Sequence, residues 1–478
     1  AFNHAEAIRA FREAARLDPK CAICWWGVAY SYGPNINLPM DSAGGAAAWD
    51  AVTKAKALKP NATLQERAYI NAIEKRYGAD ALADRAQRDS AYAKAMQMLA
   101  GEYPDDLDAA AIAAEAAMTL RPWQYWQADG SPYPGTEGIV RNLERIITAN
   151  PNHPGACHFY IHAVEAVQAE KAVACAERLA GLMPGAGHLV HMPAHIYIRV
   201  GRWNDAIETN KHAVHADERF IASEKPSGFY PVMYYPHNHH FLSFASIMAG
   251  RKALALEHAR HTRSNIPVEA AAQFPALQNL SSYPYLALVS FGAWDELLKE
   301  PDPPANHRLA TGLATYAKGI AHAALGHADV AQAHLDKLVA IGNEFGEDAG
   351  TLDKVMDIAH HALAGEIAYR ATKDLVAAEQ HFRAALKIED SMIYIEPPDW
   401  YYPIRQSLAA VLVDAGKPAD AEQLYREDLK RFPENVWSLK GLALALHAQN
   451  KLADAGDVDA RLRTATQNSD VTLTKSRF

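Results

Sequence analysis

Ala7-Ile8-Arg9-Ala10-Phe11-Arg12-Glu13-Ala14, running on to Leu17-Asp18-Pro19, sets small residues and one aromatic at helical spacing and then stops on a proline. That spacing puts Ala7, Ala10, Phe11 and Ala14 along one helix face, so the segment reads as an amphipathic helix closed by Pro19. The pattern returns at Ala206, Asn210 and Ala213 after Gly201, and at Ala378, Phe382 and Ala385 before Asp390. It returns again at Ala421, Tyr425 and Pro433 after Gly416. Recurrence at several places makes a repeat architecture the first expectation, because a single match would be weak.

These segments resemble the second helix of a tetratricopeptide repeat, with its A-x3-F-x2-A…P pattern. The resemblance implies an all-α fold, a superhelical solenoid of about eight or nine stacked helical hairpins running as one continuous array over 1–478. Helix pairs are expected near 154–183, 187–217, 236–262, 275–299, 307–342, 353–390, 400–432 and 435–465, with a less regular series over 1–150. Helices in that first part are expected at 3–17, 20–32, 45–58, 64–77, 83–101, 106–120 and 136–149. The histidine-rich middle repeats occupy 154–262 and the C-terminal repeats 275–478. The first segment matches a second helix lacking its first, which is expected if the native chain extends upstream. A cleaved leader, and with it a secreted or periplasmic location, is compatible with that pattern.

Composition narrows the function classes. With 49% hydrophobic and 22% charged residues the chain can bury a continuous core. A net charge of −9 with dispersed Lys and Arg provides no basic stripe, so nucleic acid is not an expected partner. No apolar run is long enough for a transmembrane helix. Four cysteines are too few for a disulfide framework, and Cys21-x-x-Cys24, lying in a helical pattern beside Trp25 and Trp26, reads as helix packing rather than a redox or metal pair. Phosphate-binding glycine loops, a serine-hydrolase elbow and the H-E-x-x-H zinc motif are all absent.

Histidine is where the chain departs from a plain repeat. His188, His191 and His195 stand at i, i+3 and i+7, expected to form one stripe on a single helix. His158 and His162 each precede His191 and His195 by 33 residues, so adjacent repeats present the same positions. By the resemblance, His188, His191, His195, Ile198 and Arg199 line the inner groove, as do His237 and His240, with His239 on the packing side. Neutral imidazole is a common ligand for copper, zinc and iron, and several on neighbouring helices can converge on one ion. Glu165 is the candidate catalytic residue, as a ligand or as a carboxylate orienting an imidazole. His258, His261, His212, His215, His360 and His361 read as ordinary surface or packing residues.

Three stretches interrupt the rhythm: 121–135, 223–236 and 391–403. Their aromatics, Trp123, Trp126, Tyr234, Tyr235, Trp400 and Tyr401, are expected to wall a substrate pocket over the histidine groove. The expectation is therefore a transition-metal enzyme acting on a small molecule, by redox chemistry or metal-assisted hydrolysis. The alternative, which the repeat resemblance alone implies, is a scaffold for peptide or protein partners.

Overall fold

The computed structural model describes residues 2–226, 228–345 and 351–478; Ser227, in the expected 223–236 insertion, and 346–350 lie outside the described residues. Those residues form helices and turns, with no strand among them. The chain divides into two compact units, Ala1–Ile196 with His215–Tyr230, and Tyr197–Val214 with Pro231–Phe478. Each is a stack of antiparallel helical hairpins, the all-α tetratricopeptide-like architecture.

In the first unit the helices His4–Leu17, Ala22–Ser31, Ser42–Leu58, Leu64–Ile73, Arg85–Glu102, Leu107–Thr119, Thr136–Ala149 and Pro154–Val164 follow one another, with longer connections at 32–41, 74–84 and 120–135. Several starts, at Ala22, Ser42, Leu64, Leu107 and Pro154, are set by side chains that satisfy orphan amides. Thr63 and Glu66 make a reciprocal capping box, and Asp106 Oδ1 accepts the Ala109 N–H at 2.9 Å. The core is built from Ala22, Val28, Val52, Ile70, Ile73, Tyr92 and Met96, among others, each nearly inaccessible. Full burial of each large apolar side chain contributes about 1.5–3 kcal/mol against the chain entropy.

The repeat signature has a clear mechanical basis. A Cβ at Gly27 would lie 2.4 Å from the Phe11 ring, and one at Gly441 would lie 2.1 Å from the Tyr425 ring. In both cases the aromatic of one helix rests on a bare glycine sixteen residues later in the next. Ala378, Phe382 and Ala385 of the second unit are fully buried, as are Ala206, Asn210 and Ala213, so the residues that announced the repeats form its seams. Gly201, Gly250, Gly326 and Gly416 all take positive φ at the turn between paired helices, where a side chain is strained.

Two expectations are corrected. All four cysteines are paired, Cys21 with Cys24 and Cys157 with Cys175, at Cα separations of 5.4 and 5.2 Å that suit a disulfide. Cys21 sits at the helix cap rather than inside the helix, which brings its sulfur back to Cys24. The second correction concerns the histidine stripe at 188–195. It lies on two segments, Gly187–His191 and Pro193–Arg199, because Pro193 has no N–H to give the Leu189 carbonyl and its ring crowds that turn.

Replacing Gly441 with alanine tests the seam. In an open helix that change usually stabilises by about 0.5–1 kcal/mol. Here overpacking against Tyr425 should dominate and destabilise by about 1–3 kcal/mol, seen as a lower urea midpoint. A midpoint equal to or above the parent's would show that the aromatic does not need the glycine.

Candidate metal centre

His153 prepares the first histidine-bearing helix. Its Nδ1 accepts the Ala156 N–H at 3.1 Å, and Pro154 follows with a fixed φ that suits the first helical turn. His158 and His162 then emerge one turn apart on the same face, and the Cys157–Cys175 bond ties this helix to Val173–Leu182. On the next segment the His188 N–H donates to the Tyr230 hydroxyl at 3.1 Å, and that hydroxyl donates to Asp217 Oδ1 at 2.7 Å. A Cβ at position 187 would fall 1.9 Å from the same Asp217 oxygen, so glycine is what lets the backbone beside His188 approach.

The imidazoles converge as a result. His158, His162 and His188 are each buried, and each can offer a ring nitrogen within 4.8 Å of the other two. His158 Nε2 and His188 Nε2 are 3.1 Å apart; His191 Nε2 and His195 Nε2, across the Pro193 break, are 2.9 Å apart. Two nitrogens on one tetrahedral ion, each at about 2.0–2.1 Å, would be separated by about 3.3 Å. The observed spacings are close to that value. They also suit a shared N–H···N hydrogen bond between neutral rings.

Glu165 connects the two groups. Its Oε1 is 3.3 Å from His162 Nδ1 and its Oε2 is 2.9 Å from His195 Nδ1. Each contact engages the Nδ1 side of a ring and leaves Nε2 facing elsewhere; His162 Nε2 is buried with no hydrogen-bond partner among the described residues. Burial pushes the Glu165 carboxyl up, but His195 and then His162 outweigh it and hold the group below the usual carboxylate range. His158 and His188 stay well below the usual imidazole range through burial, reinforced by neighbouring imidazoles. His162 is lowered by burial too, against the opposing pull of Glu165. His158, His162 and His188 thus resist protonation beside a buried carboxylate.

These histidines lie in a covered centre and not on an open groove. Trp123 meets the His162 ring edge-on at 5.1 Å, while Trp126 Nε1 donates to the Ala163 carbonyl at 2.7 Å and anchors the 121–135 loop. Phe2 covers another side, its ring 4.9 Å from His158 and 5.1 Å from His188. Nothing in the sequence singled out Phe2, because its importance comes from a contact more than 150 residues distant.

The remaining expected site residues belong to the second unit. His237 is half-buried, with its ring 5.8 Å from that of His240. His240 is buried edge-on against Tyr283. Trp400 and Tyr401 are buried, packing on Tyr316 and Tyr283 respectively, and Tyr235 stacks edge-on against His239. Tyr234 is buried at the start of the same helix. His239 and His258 bring their Nδ1 atoms to 2.8 Å, so His258 takes part in a helix-to-helix contact.

No family model matches the chain, and no curated protein matches it. Among solved structures, it is similar to the human IFIT1 dimer with m7Gppp-AAAA, at 13% identity and a TM-score of 0.38 over 93% of this chain and 90% of that one. Yeast Tom70 is similar at 9% identity and a TM-score of 0.32, over 96% and 88%. The P58(IPK) TPR domain is similar at 12% identity and a TM-score of 0.22, over 70% and 90%. Likeness of this degree does not bear on the chemistry of the histidines.

The buried neutral rings predict a pH dependence for metal-free protein. A histidine that resists protonation when folded, yet accepts a proton near its ordinary value when unfolded, favours the folded state above about pH 6.5. That stability is lost as pH falls below 6.5 toward the folded-state values. Urea midpoints of the apoprotein should therefore drop between about pH 7 and pH 5, and His188→Gln should flatten the drop. An apoprotein equally stable at both would contradict a neutral buried cluster.

Proposed function

We propose that the first unit holds a transition metal, with His158, His162 and His188 as ligands, His191 and His195 as a second pair beside them, and Glu165 as the carboxylate that positions His162 and His195. The observation that carries this reading is the Glu165 bridge. A carboxylate fixed to the Nδ1 sides of two imidazoles sets their tautomers and turns Nε2 toward an ion, the usual outer arrangement of histidine metal sites. All-nitrogen ligation suits copper, zinc or iron.

Such an ion would act as a Lewis acid or a redox centre on a small molecule admitted beside it. The chain's own residues would exclude water through Trp123 and Phe2 and hold a proton on each Nδ1 facing Glu165. This is a metalloenzyme reading. A scaffold for peptide or protein partners is the second reading, supported by the stacked hairpins themselves, which offer an extended surface without needing the histidines.

Protein purified without a nickel column should contain near-stoichiometric transition metal by elemental analysis. Glu165→Gln should keep its helical content and lose metal affinity by about 10–100-fold, since the amide cannot accept from both rings. His191 and His195 changed together to alanine should weaken uptake further, measured on apo forms because bound metal itself raises the melting temperature. Absence of metal, with none taken up from copper, zinc or iron solutions near neutral pH, would return the scaffold reading to first place.

A further inference from the structure

Beside the histidines the first unit has a cleft of about 160 Å³, partly open to solvent, lined by Phe2, His4, Tyr30, Asn35, Glu115 and Phe159 among others. Phe2 is a shared wall: it lines the cavity and its ring also touches His158 and His188. Glu115 is buried; its Oε1 accepts from Thr119 at 3.0 Å, while Oε2 has no hydrogen-bond partner among the described residues. The half-buried His4 is fixed by its Nδ1, 2.7 Å from the Ser31 carbonyl, and its Nε2 stands 3.3 Å from Asn35 Nδ2. The cavity thus has three aromatic rings in its wall and an unsatisfied carboxyl oxygen.

We propose that this cavity is the substrate pocket of the histidine centre, and that it takes a single-ring molecule of about seven non-hydrogen atoms carrying one hydroxyl, which hydrogen-bonds to Glu115. The proposal rests on the metal reading above. Size suits one ring, since a cavity of about 150 Å³ accommodates benzene. Wall chemistry selects the class. A buried water needs two to four polar partners, whereas the Phe2, Tyr30 and Phe159 rings offer faces suited to another ring. Burial raises the Glu115 carboxyl above its ordinary range against the pull of Arg76, and in either protonation state a carboxyl oxygen can accept from a hydroxyl. Phe2 stands between such a guest and His158, its ring centroid 4.9 Å from that of the imidazole.

Phenol and toluene, nearly equal in shape, make the test when titrated calorimetrically into the full chain. Wild type should bind phenol at least about tenfold tighter than toluene, because only phenol partners the orphan oxygen. Glu115→Leu should bind toluene and lose the preference, Glu115→Gln should keep it, and Ala7→Leu, filling the cavity from its lining, should abolish binding of both. Toluene binding by the Glu115→Leu protein also shows that this variant is folded. Failure of wild type to bind either probe, or a phenol preference surviving in Glu115→Leu, overturns the pocket. The link to the centre is read from the visible spectrum of cobalt(II)-loaded protein, which phenol should shift. Phenol bound without a spectral change defeats the link while leaving the metal reading standing. No cobalt uptake defeats the metal reading and the link with it, and phenol titration then reports on the cavity alone.

Discussion

A carboxylate buried between two imidazoles is the constraint on which the first unit's chemistry depends. Removing Glu165 from water costs several kcal/mol unless donors replace the lost hydration. The groups facing it are His162 Nδ1, hydrogen-bonded to Oε1, and His195 Nδ1, 2.9 Å from Oε2, one from each histidine segment. Satisfying the carboxylate therefore does three things together: it chooses the ring tautomers, fixes the ring orientations, and joins the Pro154–Val164 helix to the segment after Pro193. Loss of that single charge would remove a polar contact from two rings at once.

The proline break is part of the same solution. On an uninterrupted helix His191 and His195 would lie one above the other, at the ordinary spacing of an i, i+4 pair. With the segment interrupted at Met192, their Nε2 atoms close to 2.9 Å while His195 Nδ1 still reaches Glu165. Tyr230 and Asp217 brace the other side through the His188 amide, and the bare Gly187 permits the approach.

How much of this was readable in advance follows from what the residues do locally. The repeats were legible because Phe11, Phe382 and Tyr425 and their flanking alanines serve one purpose each, a seam, and that purpose fixes both residue type and spacing. The stripe His158, His162, His188, His191 and His195 was legible for a similar reason, and Glu165 for its place one turn after His162. What sequence spacing could not supply was long-range. Phe2 and Trp123 cover the rings from elements distant along the chain, so histidines expected on a groove are inaccessible. Glu115 and His4 face a cavity whose walls come from four separate segments. The cysteines were misread because a count speaks to frameworks, whereas pairing depends on where two Cα atoms come to rest.

The covering rings have a kinetic consequence. Were the proposed ion held behind Phe2 and Trp123, it would leave when a ring swings aside or the 121–135 loop lifts, and its exchange rate would be set by opening of the cover rather than by ligand strength. Affinity for nitrogen ligands rises along the first-row divalent ions to copper, whatever the protein. Slow exchange would detach occupancy from that ranking. The ion present when the hairpins close would then persist, and the history of loading, more than equilibrium competition, would decide which metal the folded chain carries.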